Sequence, residues 1–178
     1  MTDPVIPETV ATNTSALADE QWRVAVLVAA IGTRGRWDST LGSDARWRLA
    51  RRGHFPQYAG ELDWTPREVV GHLRDSARVF DARLRRMTSE DTPRLPDFVT
   101  DDAARLADYR TTPVEVLADE LRTAQAALLA TIARLDGDDL SRAGVHEVDG
   151  RVTVADLIAF LPAHQREHAE QLAALLGR

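Results

Sequence analysis

Three times along this chain a helix-opening signal is followed by a long run of apolar residues at three- and four-residue steps, and that repetition commits the fold to packed helices. Thr65-Pro66-Arg67-Glu68 supplies an N-cap hydroxyl, a proline at the first helical position and a glutamate at the third. Such a device satisfies the N–H groups that a helix leaves unpaired at its start. Thr112-Pro113-Val114-Glu115 repeats it, and Thr153-Val154-Ala155-Asp156 offers a version with aspartate. From Pro66, the spacing of Val69, Leu73, Phe80, Leu84 and Met87 predicts a helix to about Met87. From Pro113, the seam Leu117, Leu121, Ala124, Leu128 and Leu135 predicts a second to about Leu135, ended by Asp136-Gly137-Asp138. The last runs from Val154 to about Leu176, with Gly177 just beyond its end. A further helix is read over Ser15 to Thr33, through Trp22, Val26 and Ala29.

No segment shows strand-like alternation beside turn signals. The expectation is an all-α four-helix bundle, one domain over residues 15–178, preceded by a loose N-terminal arm over residues 1–14. Two connections are long. Residues 34–64 carry Trp37, Trp47 and the basic stretch Arg46 to Arg52; residues 88–111 carry Phe98 and the run from Asp101 to Tyr109. Each is expected to hold a short helix, and loops of this length in a compact domain usually cap something or carry function. They suit a bundle that is not simply up-down.

Composition removes several chemistries. The chain has no cysteine, which excludes disulfides, thiolate ligands and a cysteine nucleophile. All 22 basic side chains are arginine, so lysine Schiff-base chemistry is excluded too. A net charge of −6 offers no footprint for nucleic acid. No apolar run approaches the roughly 20 residues of a membrane span. Met1 to Thr12 lack the charged and apolar blocks of a signal peptide. A cytoplasmic location is expected.

Any metal must therefore sit on His, Asp or Glu. His164 and His168 are four apart and share a helix face. They also occupy seam positions, in the series Leu157, Leu161, His164, His168, Leu172, Leu175. Neutral imidazoles in an apolar seam need partners for their nitrogens. A metal ion is one answer and hydrogen bonds to other polar core groups are another. His72 lies beside the seam of the helix from Pro66 and can converge on the pair. Three histidines leave coordination positions open, the pattern of a reactive site rather than a closed structural one. Pro162 lies two residues before His164 and predicts either a kink or the start of a new helix.

At this point the residues resemble a known family. Trp64-Thr65-Pro66-Arg67-Glu68-Val69-Val70-Gly71-His72-Leu73 is similar to the segment opening the second helix of the DinB-like (YfiT-like) superfamily. Gly144 to Val154 resembles the loop before that family's last helix, and His164-Gln165-Arg166-Glu167-His168 resembles its HxxxH ligand pair. The resemblance covers about residues 60–176. It implies a four-helix bundle with a left-handed, non-simple connection order. It also implies a divalent metal, commonly nickel or zinc, on His72, His164 and His168. Family members are often homodimers. Those with assigned activities include transferases that use a low-molecular-weight thiol such as mycothiol, and metal-dependent hydrolases.

Around the three histidines, His146, Glu68, Asp75 and Tyr109 are candidates for polar groups near the site. Glu68 is already explained by its cap, and His54 has no periodic context. The Arg46–Arg52 stretch reads as a solvated helix in preference to an anion site. The leading expectation is a metal-dependent enzyme on a small-molecule substrate, such as a small-thiol-dependent S-transferase. A hydrolase is the alternative, although no residue marks a general base. The third reading is a non-catalytic metal-binding bundle.

Overall fold

A computed structural model describes residues 8–177. Six α-helices occur among them: α1 (Glu8–Thr33), α2 (Ser43–Ala50), α3 (Pro66–Ser89), α4 (Ala103–Thr111), α5 (Val114–Ile132) and α6 (Val154–Leu175). The four long ones, α1, α3, α5 and α6, form the expected bundle, and α2 and α4 are the short helices of the two long connections. No described helix is long and apolar enough to cross a membrane.

The bundle core falls into two apolar clusters, one at each end, and a third, small cluster joins Leu49, Phe55 and Leu62 of the first connection. The first joins Val10 and Leu17 of α1 to the late residues of α3 and α5 and to Val154–Leu161 of α6. The second joins Val24–Ile31 of α1 to Val69–Leu73 of α3, Leu117 and Leu121 of α5, and Ala169–Leu176 of α6. It follows that α1 and α6 run parallel, α3 and α5 run parallel, and the two pairs oppose. α3 packs chiefly on α5, and α1 chiefly on α6. Because α3 and α5 are adjacent and parallel, the chain must return the full bundle length between them. That explains the long second connection and the place of α4.

Between the two clusters lies a polar layer. His72 and Ser76 of α3, Gln125 of α5, Gln21 of α1 and His164, Gln165 and His168 of α6 are all buried there.

Several local expectations are corrected. α1 begins at Glu8, so residues 8–14 are helical; the rest of the expected arm, residues 1–7, lies outside the described residues. Its inward face is Val10, Leu17, Val24 and Ile31, an unbroken seven-residue repeat. Trp22 and Val26, read as part of that helix, are exposed. The Thr112-Pro113 device does not cap α5: Thr112 ends α4, with its hydroxyl on Asp108 Oδ1 at 3.2 Å. The other two devices act as read. Glu68 Oε2 accepts from the Thr65 N–H at 2.8 Å, and Asp156 Oδ2 from the Thr153 N–H at 2.9 Å. α6 passes through Pro162 without a break, so no new helix starts there.

Strands also occur, against expectation. β1 (Arg94–Leu95) pairs parallel with β2 (Ala143–His146), which pairs antiparallel with β3 (Gly150–Thr153). Each is too short to show alternation, and β1 and β2 are far apart in sequence. The β2–β3 turn closes on Gly150 at φ 74°, a conformation that glycine adopts without a Cβ penalty. A Cβ on Gly144 would lie 2.7 Å from Leu95, so glycine also lets β1 approach β2. Arg142 clamps this sheet to the end of α3 through the carbonyls of Met87 and Glu90.

Candidate metal centre

α3 presents His72 and α6 presents His164 and His168 into the polar layer between the apolar clusters. One nitrogen from each lies within 4.8 Å of the others. His72 Nε2 and His164 Nε2 are 3.1 Å apart. Two nitrogens bound tetrahedrally to one ion at 2.0–2.1 Å would stand roughly 3.3 Å apart, so the spacing suits a shared cation.

The orientation of His168 is fixed by a chain of bonds. Gln171 Nε2 donates to the Glu61 carbonyl at 2.6 Å, which sets the amide so that its Oε1 accepts from His168 Nδ1 at 2.9 Å. The Nδ1 proton leaves Nε2 as a lone-pair donor. That nitrogen is fully buried and has no hydrogen-bond partner. An unpartnered imidazole nitrogen in a 0% exposed side chain is costly to leave bare, and a cation at this point would satisfy it.

Electrostatics favours the ligand state of all three. Burial, and then the neighbouring imidazoles, hold His72 and His164 well below the usual histidine range. Burial pushes His168 down to about 4. All three are neutral at pH 7, as coordination requires. In the unfolded chain an imidazole takes up its proton near pH 6.5. Folded His168 does so only near pH 4. Between these values the unfolded state binds more protons, so the contribution is full above pH 6.5 and is lost as pH falls through about 4. Thermal melts of metal-free protein should therefore show a Tm that declines from pH 6.5 to 4. His168 alone accounts for on the order of 3 kcal/mol, or roughly 6–12 °C. A flat Tm over this window would contradict it.

Aromatic rings wall the cluster. Trp64 is 5.0 Å from His72 and stacks on His168 at 6.3 Å. Phe98 stacks on His72 at 5.7 Å, and Phe160 on His164 at 5.3 Å. A cavity of about 720 Å³ opens over His72 and His164 and extends along α3 past Ser76 and Phe80 to Arg83. Its volume is that of a small-molecule site.

Two groups that sequence reasoning missed complete the cluster. His54, from the loop after α2, and Glu61, from the 3₁₀ turn Ala59–Asp63, form a second donor set with His168. Glu61 Oε2 meets His54 Nε2 at 2.6 Å and stands 3.7 Å from His168 Nε2. Glu61 Oε1 is buried without a partner. His54 is held on its other side by Glu167 of α6, at 3.1 Å from Nδ1. Neither residue carries a periodic or motif signal; only the chain's return past the N-terminus of α3 brings them here.

The remaining candidates lie elsewhere. Glu68 bonds Thr65 and Arg110 and does not reach His72, whose Nδ1 has no partner. Asp75 accepts from Arg74, Arg105 and the Tyr109 hydroxyl. Burial opposes the Asp75 charge, but these bonds hold its pKa below the usual carboxylate range. This network braces α4 against α3 and adjoins the site only through Arg105, which stacks on Phe98. His146 lines the cavity without joining the histidine cluster. The Arg46–Arg52 stretch is a surface helix with Arg46 paired to Asp63, and none of it lines the cavity.

Comparison with known proteins bears on this arrangement. A family model, the DinB superfamily, matches residues 14–172. No curated protein matches the chain in sequence. Among solved structures, YfiT from Bacillus subtilis superposes with a TM-score of 0.70 at 17% identity, over 98% of this chain and 90% of that one. YfiT is described as a probable metal-dependent hydrolase with an unusual four-helix bundle topology.

Proposed function

This chain belongs to the DinB superfamily, and from that premise we propose that it is a metal-dependent hydrolase acting on a small ester or amide, with a divalent ion on His72, His164 and His168. The observation that carries the reading is Glu61. Its carboxylate is buried, with Oε2 on His54 and 3.7 Å from His168 Nε2 and with Oε1 free of any partner, whereas no motif in the sequence marks a general base. A divalent ion held by the three imidazoles supplies Lewis acidity and lowers the pKa of the water it polarises. Glu61 Oε1 accepts the proton of the attacking water, and the same carboxyl returns it to the leaving group. His54, braced by Glu167, holds the other oxygen and so fixes the carboxylate. The aromatic walls exclude bulk water and strengthen these interactions. The description of YfiT as a probable metal-dependent hydrolase agrees with this chemistry.

Thiol-dependent transfer is the second reading. What favours it is room: a cavity of about 720 Å³ can seat a thiol cofactor beside an electrophile. Nickel and zinc are the ions proposed for either reaction. One experiment separates the two. Metal-replete protein, assayed on 4-nitrophenyl esters without any thiol, is expected to turn over and to stop on chelation. Glu61→Gln should lower kcat by roughly a hundredfold at unchanged metal content. Absence of thiol-free hydrolysis with metal bound would refute the hydrolase reading, and turnover restored by a thiol would establish the other.

A further inference from the structure

The cavity has a second polar end. His72, Ser76, Phe80 and Arg83 follow one face of α3 and all line it. His72 and Arg83 are roughly 16 Å apart along the axis at ~1.5 Å rise per residue, so the cavity follows about three turns of α3 between them.

Arg83 is only 8% exposed, yet no carboxylate forms an ion pair with it among the described residues. Both of its hydrogen bonds leave from Nη2, to the Pro96 carbonyl at 2.7 Å and to His146 Nε2 at 3.0 Å. Its Nε is buried without a partner. His146 Nε2 accepts from the guanidinium, and its Nδ1 faces the hairpin tip, 3.1 Å from the Asp149 carboxylate and 3.2 Å from the Asp149 backbone N–H. Burial lowers the Arg83 pKa, and the more distant charges of Asp97 and Asp149 offset this only in part. A buried guanidinium in this condition is costly, and a protein that needed only a brace for Pro96 could use a neutral donor.

We propose that Arg83 is the anion subsite of this cavity, and that the substrate carries a single carboxylate at the end remote from the bond that reacts at the histidines. The inference deepens the hydrolase reading and rests on it for the position of that bond. A monocarboxylate is selected over a phosphate because Arg83 is the one arginine on the wall, while Glu61, Asp97, Asp101, Asp149 and Asp156 also line it. Each further negative charge meets repulsion from these carboxylates, so a singly charged group is favoured over a doubly charged one. Between the two ends the wall is apolar, with Phe80, Leu157 and Phe160, so the body of the substrate is aromatic or alkyl. The predicted class is an ester or amide of an ω-carboxylated hydrocarbon chain.

Binding of 4-phenylbutyrate and of its neutral amide, measured by calorimetry on the metal-replete protein, tests this without turnover. Wild type is expected to bind the carboxylate at least tenfold more tightly than the amide. Arg83→Gln should abolish the preference, and Arg83→Lys should keep part of it. A carboxylate that merely ligates the metal would keep its preference in Arg83→Gln, which overturns the proposal. So does equal affinity of wild type for both probes. Should Arg83→Gln fail to fold, the Arg83 Nε–H resonance of the wild type decides: it shifts with the carboxylate and not with the amide, and the absence of a shift overturns the subsite. A protein that hydrolyses nothing but still discriminates the probes would refute the hydrolase reading alone.

Discussion

His168→Ala is expected to lose stoichiometric metal, with affinity for nickel or zinc reduced at least a hundredfold and metal-dependent activity abolished. Removing one of three imidazoles leaves two ligands for an ion that wants four. Loss of an outer partner alone typically costs ten- to a hundredfold, and loss of a direct ligand costs more. The side chain is 0% exposed, so loss of core packing is the competing cause. Thermal melts answer that. In the metal-free protein His168 Nε2 is a buried hydrogen-bond acceptor without a partner, and deleting it costs about 2 kcal/mol or less, because the lost volume is offset by an unpaired polar atom removed. Wild type should gain Tm on adding nickel or zinc, as any ligand of the folded state gives, and His168→Ala should not. Elemental analysis of untagged protein reads the same result directly. Gln171→Leu should lie between, because it frees the Nδ1 proton and unlocks the ring without removing a ligand. Equal metal content in wild type and His168→Ala would end the case for the site.

Gly71→Ala is expected to destabilise the protein by about 3 kcal/mol, a fall in Tm of roughly 6–12 °C. Helix propensity alone predicts the opposite sign, a gain of about 1 kcal/mol from replacing glycine inside α3. Packing decides the case. A Cβ on Gly71 would lie 2.3 Å from Tyr109 Cδ1 and 2.4 Å from its Cγ. Tyr109 cannot step aside: it is 0% exposed, its hydroxyl is bonded to Asp75 at 2.9 Å, and Arg74 packs over its ring. The double variant with Tyr109→Ala should lose less than the sum of the two single losses, because the clash is one shared contact. Additive losses, or a Tm that rises in Gly71→Ala, would show that the α3–α4 contact yields without cost.

How far the sequence carried this reading depends on range along the chain. The α3 and α6 starts were legible because their capping groups lie within three residues of one another. The histidine cluster was legible because His164 and His168 interrupt an apolar seam, where a polar pair demands an explanation, and because the Trp64–Leu73 segment resembles the DinB-like pattern around His72. The Thr112-Pro113 signal misled for a physical reason: the same residues that can open a helix also serve to end α4. The seven-residue repeat of α1 starts at Val10, ahead of the expected helix start at Ser15, and Trp22 and Val26 lie on its exposed face. His54, Glu61 and Arg83 were beyond reach. Two of them sit in or beside turns without period, and the third is one arginine among many on a helix. What distinguishes Arg83 is the carboxylate it lacks, and only three-dimensional neighbours reveal that.

The clamp between the second long connection and the β2–β3 hairpin has a consequence for how such a protein diversifies. β1 and the β2–β3 hairpin fasten to each other and, through Arg142, to the end of α3, while the bundle keeps the three histidines. Val148 and Asp149 at the hairpin tip line the cavity and carry little of the core. Exposed turns accept substitution readily. Mutational drift at that tip can therefore retune which molecule fits while the three histidines stay put, so that one scaffold can be inherited with its histidine cluster intact and its selectivity rewritten.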